Sequence, residues 1–300
     1  MTNKIKLTFL GTADAIPTAK RNHQAILLNY DSENILIDCG EGTQRQFRKA
    51  GLNPLKLTGI LITHWHGDHV LGIPGMFQTL AYNNYKKTLN IYGPKGTKKF
   101  INEMKKVFPF ANELKIKVEE VTGKFFETED FYLEAKEMTH GCPCNAYNFV
   151  KKGKFRIDKK KLKKHRLPAG AHLQKLKQGK DIIYEGKKYL AKNLTYMVNG
   201  LKISFVLDTS FNNRIVPFVK NADLLICESA FDSKLVDKAR KHKHLTSKQV
   251  GEIAKNAKVK KLVLTHISQR YDKNPKKILD EVKKIFKDSR LVEDLDIIEI

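Results

Sequence analysis

Gly59-Ile60-Leu61-Ile62-Thr63-His64-Trp65-His66-Gly67-Asp68-His69 is the stretch on which the reading of this 300-residue chain turns. The apolar run 59–63 has the length and composition of a short buried strand. In extended backbone, residues two apart point the same way, so His64 and His66 can share one metal ion. The turn that follows re-aims Asp68 and His69 toward a second position. Imidazole and carboxylate together suit Zn²⁺, with Mn²⁺ and Fe²⁺ as less specific alternatives. Four potential ligands within six residues mark a metal site.

Two ions need more donors than these four. Three remote residues stand where apolar runs end: His140 after Leu133-Glu134-Ala135-Lys136-Glu137-Met138-Thr139, Asp208 after Ile203-Ser204-Phe205-Val206-Leu207, and His266 after Leu262-Val263-Leu264-Thr265. Loops at strand ends are where α/β folds assemble sites from distant parts of the chain. With the cluster they bring the candidate ligands to seven, the number suited to a bridged pair of ions.

Short apolar runs recur at 5–10, 25–28, 35–38, 59–63, 89–92, 131–135, 201–207, 223–227 and 261–265, and read as strands. Helical patterns interleave at 43–50, 70–82, 96–106, 246–257 and 275–287; Thr246-Ser247 with Gln249 supplies an N-cap for one of them. Strands alternating with helices predict a layered α/β fold. The expected organisation is a single catalytic domain over 1–300. No segment approaches the roughly 20 apolar residues that span a bilayer. The start lacks a basic region followed by an apolar one, so a cytoplasmic protein is expected. Four cysteines, without paired CxxC spacing, are expected as free thiols in a reducing compartment. Of these, Cys142 and Cys144 flank Pro143 close to His140.

The 56 Lys and Arg against 32 Asp and Glu leave a net charge of +24. Over half lies between Lys151 and Lys192, where 16 basic residues face three acids, for +13 in 42 residues. That segment has no long apolar face and contains Gly153, Pro168, Gly170 and Gly179. It is expected to be an insertion in the domain that lies against phosphates, since each neutralised phosphate releases a counterion.

The His-x-His-x-Asp-His cluster with a later His, Asp and His resembles the metallo-β-lactamase superfamily, whose fold is an αββα four-layer sandwich. Within it the chain is similar to the tRNase Z (ribonuclease Z) family, which cleaves 3′ trailers from precursor tRNA. The likeness runs through Phe9-Leu10-Gly11-Thr12, Asp38-Cys39-Gly40-Glu41-Gly42-Thr43-Gln44-Arg45-Gln46, Thr63 to His69, Asp208-Thr209, Glu228-Ser229-Ala230-Phe231, His244-Leu245-Thr246 and Leu264-Thr265-His266. It departs at Ala19, where the family's early loop often carries Lys, and at Pro168-Ala169-Gly170-Ala171, where the family's arm often has Gly-Pro.

By this resemblance His64, His66 and His140 would hold one zinc, Asp68, His69 and His266 the other, and Asp208 would bridge them. Asp38 would orient ligand imidazoles from behind. Two metals about 3.5–4 Å apart activate water for in-line attack at phosphorus. Asp68 is expected to take the nucleophile's proton, and His244, oriented by Glu228, to protonate the departing ribose oxygen. The basic insertion corresponds to the family's protruding arm, with phosphate contacts expected from Lys159, Lys160, Lys161, Lys163, Lys164, Arg166, Lys175 and Lys177. The family likeness also implies a homodimer. The histidines His23, His165, His172 and His242 are expected to be solvated. Two other functions fit parts of the pattern: a hydrolase of small phosphodiesters or other esters on the same core, and a non-catalytic RNA-binding module.

Overall fold

A computed structural model describes residues 4–300. Its strands are, in chain order, β1 (Ile5–Gly11), β2 (Ala25–Tyr30), β3 (Glu33–Ile37), β4 (Gly59–Leu61), β5 (Thr88–Gly93), β6 (Lys115–Glu120), β7 (Gly123–Glu127), β8 (Phe131–Glu137) and β9 (Asn145–Lys151). The basic insertion contributes β10 (Lys154–Ile157), β11 (Ile182–Tyr184), β12 (Lys187–Tyr189) and β13 (Thr195–Val198). The chain closes with β14 (Leu201–Val206), β15 (Leu224–Glu228), β16 (Lys261–Thr265), β17 (Ser289–Leu291) and β18 (Ile297–Glu299).

Two seven-stranded sheets result, ordered β18-β1-β2-β3-β4-β5-β6 and β17-β16-β15-β14-β9-β8-β7. Each changes from antiparallel pairing to a parallel run, β3 to β6 in the first and β14 to β17 in the second. Side-chain alternation explains the layers. Ile5, Leu7 and Phe9 of β1, Ile203 and Phe205 of β14, and Leu224 and Ile226 of β15 share one apolar cluster between the sheets. Their neighbours Leu225, Cys227, Leu262 and Leu264 face the opposite way, into a second cluster with Val250, Ile253, Ile278 and Val282 of the helices Ser247–Asn256 and Lys276–Lys283. A third cluster joins Leu10, Leu36, Ile60 and Ile91 to Phe47, Ile73, Met76, Phe77 and Ile101 of the helices that cover the first sheet. Three interlayer cores mean four layers: helices, sheet, sheet, helices.

Several strands depart from the sequence reading. Lys115–Glu120, Gly123–Glu127 and Asn145–Lys151 were not expected. The last is buried on both sides yet carries Asn145 and Asn148, whose amides are satisfied by the Val121 carbonyl, the Glu134 carboxylate and the Phe218 carbonyl. A satisfied amide is tolerated in a core, so apolar content alone hides such a strand. The strand expected over 59–63 ends at Leu61, and the helix expected over 70–82 divides into Gly67–Val70 and Ile73–Tyr82.

The basic insertion has its own small core, in which Leu167, Leu173, Leu176, Ile182, Ala191 and Leu194 are buried together. Fully burying one such leucine contributes about 1.5–3 kcal/mol. Asp158 caps the helix Lys159–Lys164, accepting from the backbone N–H groups of Lys160 and Lys161. The flanking strands β10 and β13 pair with each other, so the folded unit ends at Val198, beyond the charge-rich stretch.

Candidate metal centre

The first sheet's parallel run and the second sheet's β8, β14, β15 and β16 end at one edge of the sandwich, and each delivers side chains there. Asp38 follows β3, His64 to His69 follow β4, His140 follows β8, Asp208 follows β14, Glu228 ends β15 and His266 follows β16. Asp38 and His266 both adopt left-handed backbone, φ 56° and 57°. Such conformations in non-glycine residues persist where surrounding structure enforces them, and they concentrate at functional sites. Gly40 is demanded by close approach, since a Cβ there would lie 2.2 Å from the Asp68 carbonyl oxygen. The Asp38–Gly40 turn can therefore press against the segment that carries Asp68 and His69.

The donors form two groups, each with its ligand atoms within 4.8 Å of one another: His64, His66, His140 and Asp208, then Asp68, His69, Asp208 and His266. In the first, His66 Nδ1 lies 3.0 Å from His64 Nε2 and 3.1 Å from His140 Nε2. Asp208 Oδ2 stands 3.6 Å from His64 Nε2 and 3.8 Å from His140 Nε2. In the second, Asp208 Oδ1 is 3.4 Å from His69 Nε2 and 3.1 Å from His266 Nε2, while Asp68 Oδ2 is 3.2 Å and 3.4 Å from the same two nitrogens. Asp208 thus sends one carboxylate oxygen toward each group.

Groups behind the donors fix their orientation. Asp38 accepts from the Thr63 backbone N–H and hydroxyl, both at 2.7 Å, and lies 2.6 Å from His69 Nδ1. His140 Nδ1 donates to the Lys243 carbonyl at 3.0 Å, which leaves Nε2 free to face the site. Beside the two groups, His244 Nδ1 is 2.9 Å from Glu228 Oε2, and Glu228 Oε1 accepts from the Thr209 N–H at 2.8 Å. The His244 ring lies between those of His140 and His266, at centroid distances of 5.4 and 5.6 Å.

The electrostatics suit cations. Asp38, Asp208 and Glu228 are buried, the Asp68 side chain is 9% exposed, and among the described residues no Lys or Arg pairs with any of them. The positive charge they require must come from protonated imidazoles or a metal. Burial opposes protonation of His69, but Asp208 and Asp38 push its pKa well up; burial and the His69 charge push His64 well down. Burial opposes ionisation of Asp68, yet hydrogen bonds from His266 and His69 hold its carboxyl far below the usual range. Asp208 Oδ1 and His266 Nδ1 are buried without a directed hydrogen bond. An orphaned carboxylate oxygen facing histidine nitrogens fits a divalent metal of the imidazole-and-carboxylate class. Glu228, His244 and His266 also approach within 4.8 Å, but Glu228 is committed to Thr209 and His244.

All ten residues singled out in the sequence for the centre meet here. Thr63, Thr209 and the Lys243 carbonyl were not foreseen. Thr63 has a legible signal, a hydroxyl at a strand end beside the first histidine, whereas a backbone carbonyl has none. His23 corrects an expectation: its ring is not solvated, because both ring nitrogens are enclosed without partners and its Cβ crowds Gly40. His172 is corrected too, since its ring lies tilted against that of Tyr184, centroids 4.5 Å apart, with Nε2 buried.

The chain is 36% identical to a Ribonuclease Z from Nanoarchaeum equitans over 290 residues, covering 97% of this chain and 92% of that one. The chain belongs to the ribonuclease Z family. Human tRNase Z, short form, superposes with a TM-score of 0.71 and 28% identity over 98% of both chains. YhfI from Bacillus subtilis, described as a metallo-β-lactamase fold protein, gives 0.72 over the whole of both chains at 18% identity, a likeness of fold. A family model described as "Anti-Pycsar protein Apyc1" matches residues 5–134, less than half of the chain. The αββα sandwich is thus of the metallo-β-lactamase type, as the resemblance implied.

Proposed function

We propose that this protein is a metal-dependent endoribonuclease that removes 3′ trailers from precursor tRNA and leaves a tRNA 3′-hydroxyl. The observation that carries this reading is the Ribonuclease Z likeness over 97% of a chain whose own residues close both donor groups. The ligands would be His64, His66 and His140 for one ion and Asp68, His69 and His266 for the other, with Asp208 shared. Two Zn²⁺ suit this set, with Mn²⁺ or Fe²⁺ as alternatives. When bound, the pair supplies a water nucleophile at neutral pH and offsets charge building on the phosphate.

The remaining work falls to side chains. Asp38 holds the His69 ring so that Nε2 faces the site. Asp68, kept ionised by its neighbours, is placed to accept a proton from the attacking water. His244 is the acid for the departing ribose oxygen. Burial opposes its charge, but Glu228 and Asp208 push its pKa up to about 10, the direction that an acid needs. Glu228 fixes that ring through Nδ1, leaving Nε2 to donate.

Residues 151–192 form the RNA-holding arm of this proposal. Lys159, Lys160, Lys161, Lys163, Lys164, Arg166, Lys175 and Lys177 are all exposed. Such cations contact phosphates without reading bases, as suits recognition of an RNA helix by shape. A homodimer would let one subunit's arm serve the other's centre. A cytoplasmic setting agrees with four unpaired cysteines, three of them buried, and among the described residues no helix is long and apolar enough to cross a membrane.

The test is cleavage of a 3′-extended tRNA beside bis(p-nitrophenyl) phosphate and a lactam. Release of an intact trailer, lost on chelation and restored by Zn²⁺, is the expected outcome. Hydrolysis of the small esters without any cleavage of the RNA would overturn the proposal.

A further inference from the structure

The basic insertion meets the sandwich at a narrow joint. β9 runs into β10 through Lys152-Gly153, and β13 returns to β14 through Asn199-Gly200. The two glycines abut: a Cβ on Gly200 would lie 2.5 Å from the Lys151 carbonyl oxygen and 3.0 Å from the Gly153 nitrogen. Two strands without side chains at their point of contact make a natural place for backbone rotation.

The residues flanking Gly153 are gripped by a single turn. Lys152 Nζ pairs with Glu127 Oε1 at 2.6 Å and donates to the Thr128 carbonyl at 2.7 Å. The Lys152 backbone N–H donates to the Asp130 carbonyl at 2.7 Å, and Lys154 Nζ pairs with the Asp130 carboxylate. Glu127 ends β7, and Thr128 and Asp130 lie in its connection to β8. Beyond this root, the hydrogen bonds and ion pairs of residues 158–194 close within the insertion itself. Among the described residues, no hydrogen bond or ion pair of that outer part reaches the sandwich.

We propose that Glu127 and Asp130 are positioning residues, which clamp Lys152 and Lys154 across the Gly153–Gly200 joint and set the angle at which the insertion presents RNA. This rests on the reading that residues 151–192 hold the substrate. Two acids at the foot of an RNA-binding arm oppose phosphate attraction, so their placement calls for a compensating use. Each ion pair is partly exposed and weak alone. Two pairs and two further hydrogen bonds on one four-residue turn act together, because ordering the turn for one contact serves the rest.

The variant Glu127→Gln with Asp130→Asn separates geometry from charge. Removing two negative charges should by itself tighten RNA binding. The clamp predicts the reverse: KM for 3′-extended tRNA rises about fivefold as the arm's orientations multiply, while hydrolysis of bis(p-nitrophenyl) phosphate is unchanged. Reversing the second pair alone, Asp130→Lys with Lys154→Asp, should leave KM within about threefold of that of the unaltered protein. A KM that stays or falls in the neutralised variant overturns the clamp. A second measurement does not need catalysis: the distance distribution between spin labels at Ile183→Cys and Tyr82→Cys, both exposed positions, should broaden in the neutralised variant. An unchanged distribution overturns the clamp. If the unaltered protein cleaves no tRNA, the proposed activity fails, and the label distances still decide the clamp.

Discussion

His244 is held by Glu228 2.9 Å away, and Glu228 is held in turn by the Thr209 N–H. If His244 protonates the leaving oxygen, His244→Ala should lower kcat on 3′-extended tRNA by about 10²–10⁴-fold. The loss on bis(p-nitrophenyl) phosphate should be much smaller, since p-nitrophenolate departs without a proton. Equal losses on both substrates would assign His244 another role. Asp38→Ala tests the support behind the donors. Deleting such a partner costs about 10–100-fold in metal affinity. Titration with a competing chelator should show this, and unaltered affinity would leave Asp38 a folding residue alone.

At the level of single elements, the helix Ser247–Asn256 shows how local chemistry positions the site. Thr246 and Gln249 form a reciprocal capping box: the Thr246 hydroxyl accepts from the Gln249 N–H, and the Gln249 side chain accepts from the Thr246 N–H. The cap begins two residues after His244, so the helix start anchors the loop that carries the acid. Thr246→Ala should cost about 1 kcal/mol, read as a lowered denaturation midpoint. A midpoint equal to that of the unaltered protein would show that packing of Val250 and Ile253 holds the helix start without the cap. The cap was legible because it is written in four consecutive residues. The strand Asn145–Lys151 was not, because its buried Asn148 is satisfied by Glu134 and the Phe218 carbonyl, 14 and 70 residues away.

Across the whole molecule, the proposed division of labour is between a compact centre and a distant basic surface. Deleting 155–185 should raise KM for 3′-extended tRNA by more than tenfold and flatten its salt dependence, because several phosphate contacts leave together. Turnover of bis(p-nitrophenyl) phosphate should survive. Unchanged RNA affinity and salt slope would remove this segment from substrate binding.

The sequence by itself determined the layered α/β class, the donor types and the concentration of positive charge. These are written in local periodicity, in ligand-bearing side chains at strand ends, and in composition. Tertiary structure alone decided that the Lys243 carbonyl sets the His140 tautomer and that the His23 ring nitrogens are enclosed. It also decided that the turn 127–130 grips the foot of the basic insertion. Each of these depends on where two distant backbones meet, and the spacing of residues along one chain does not encode that distance.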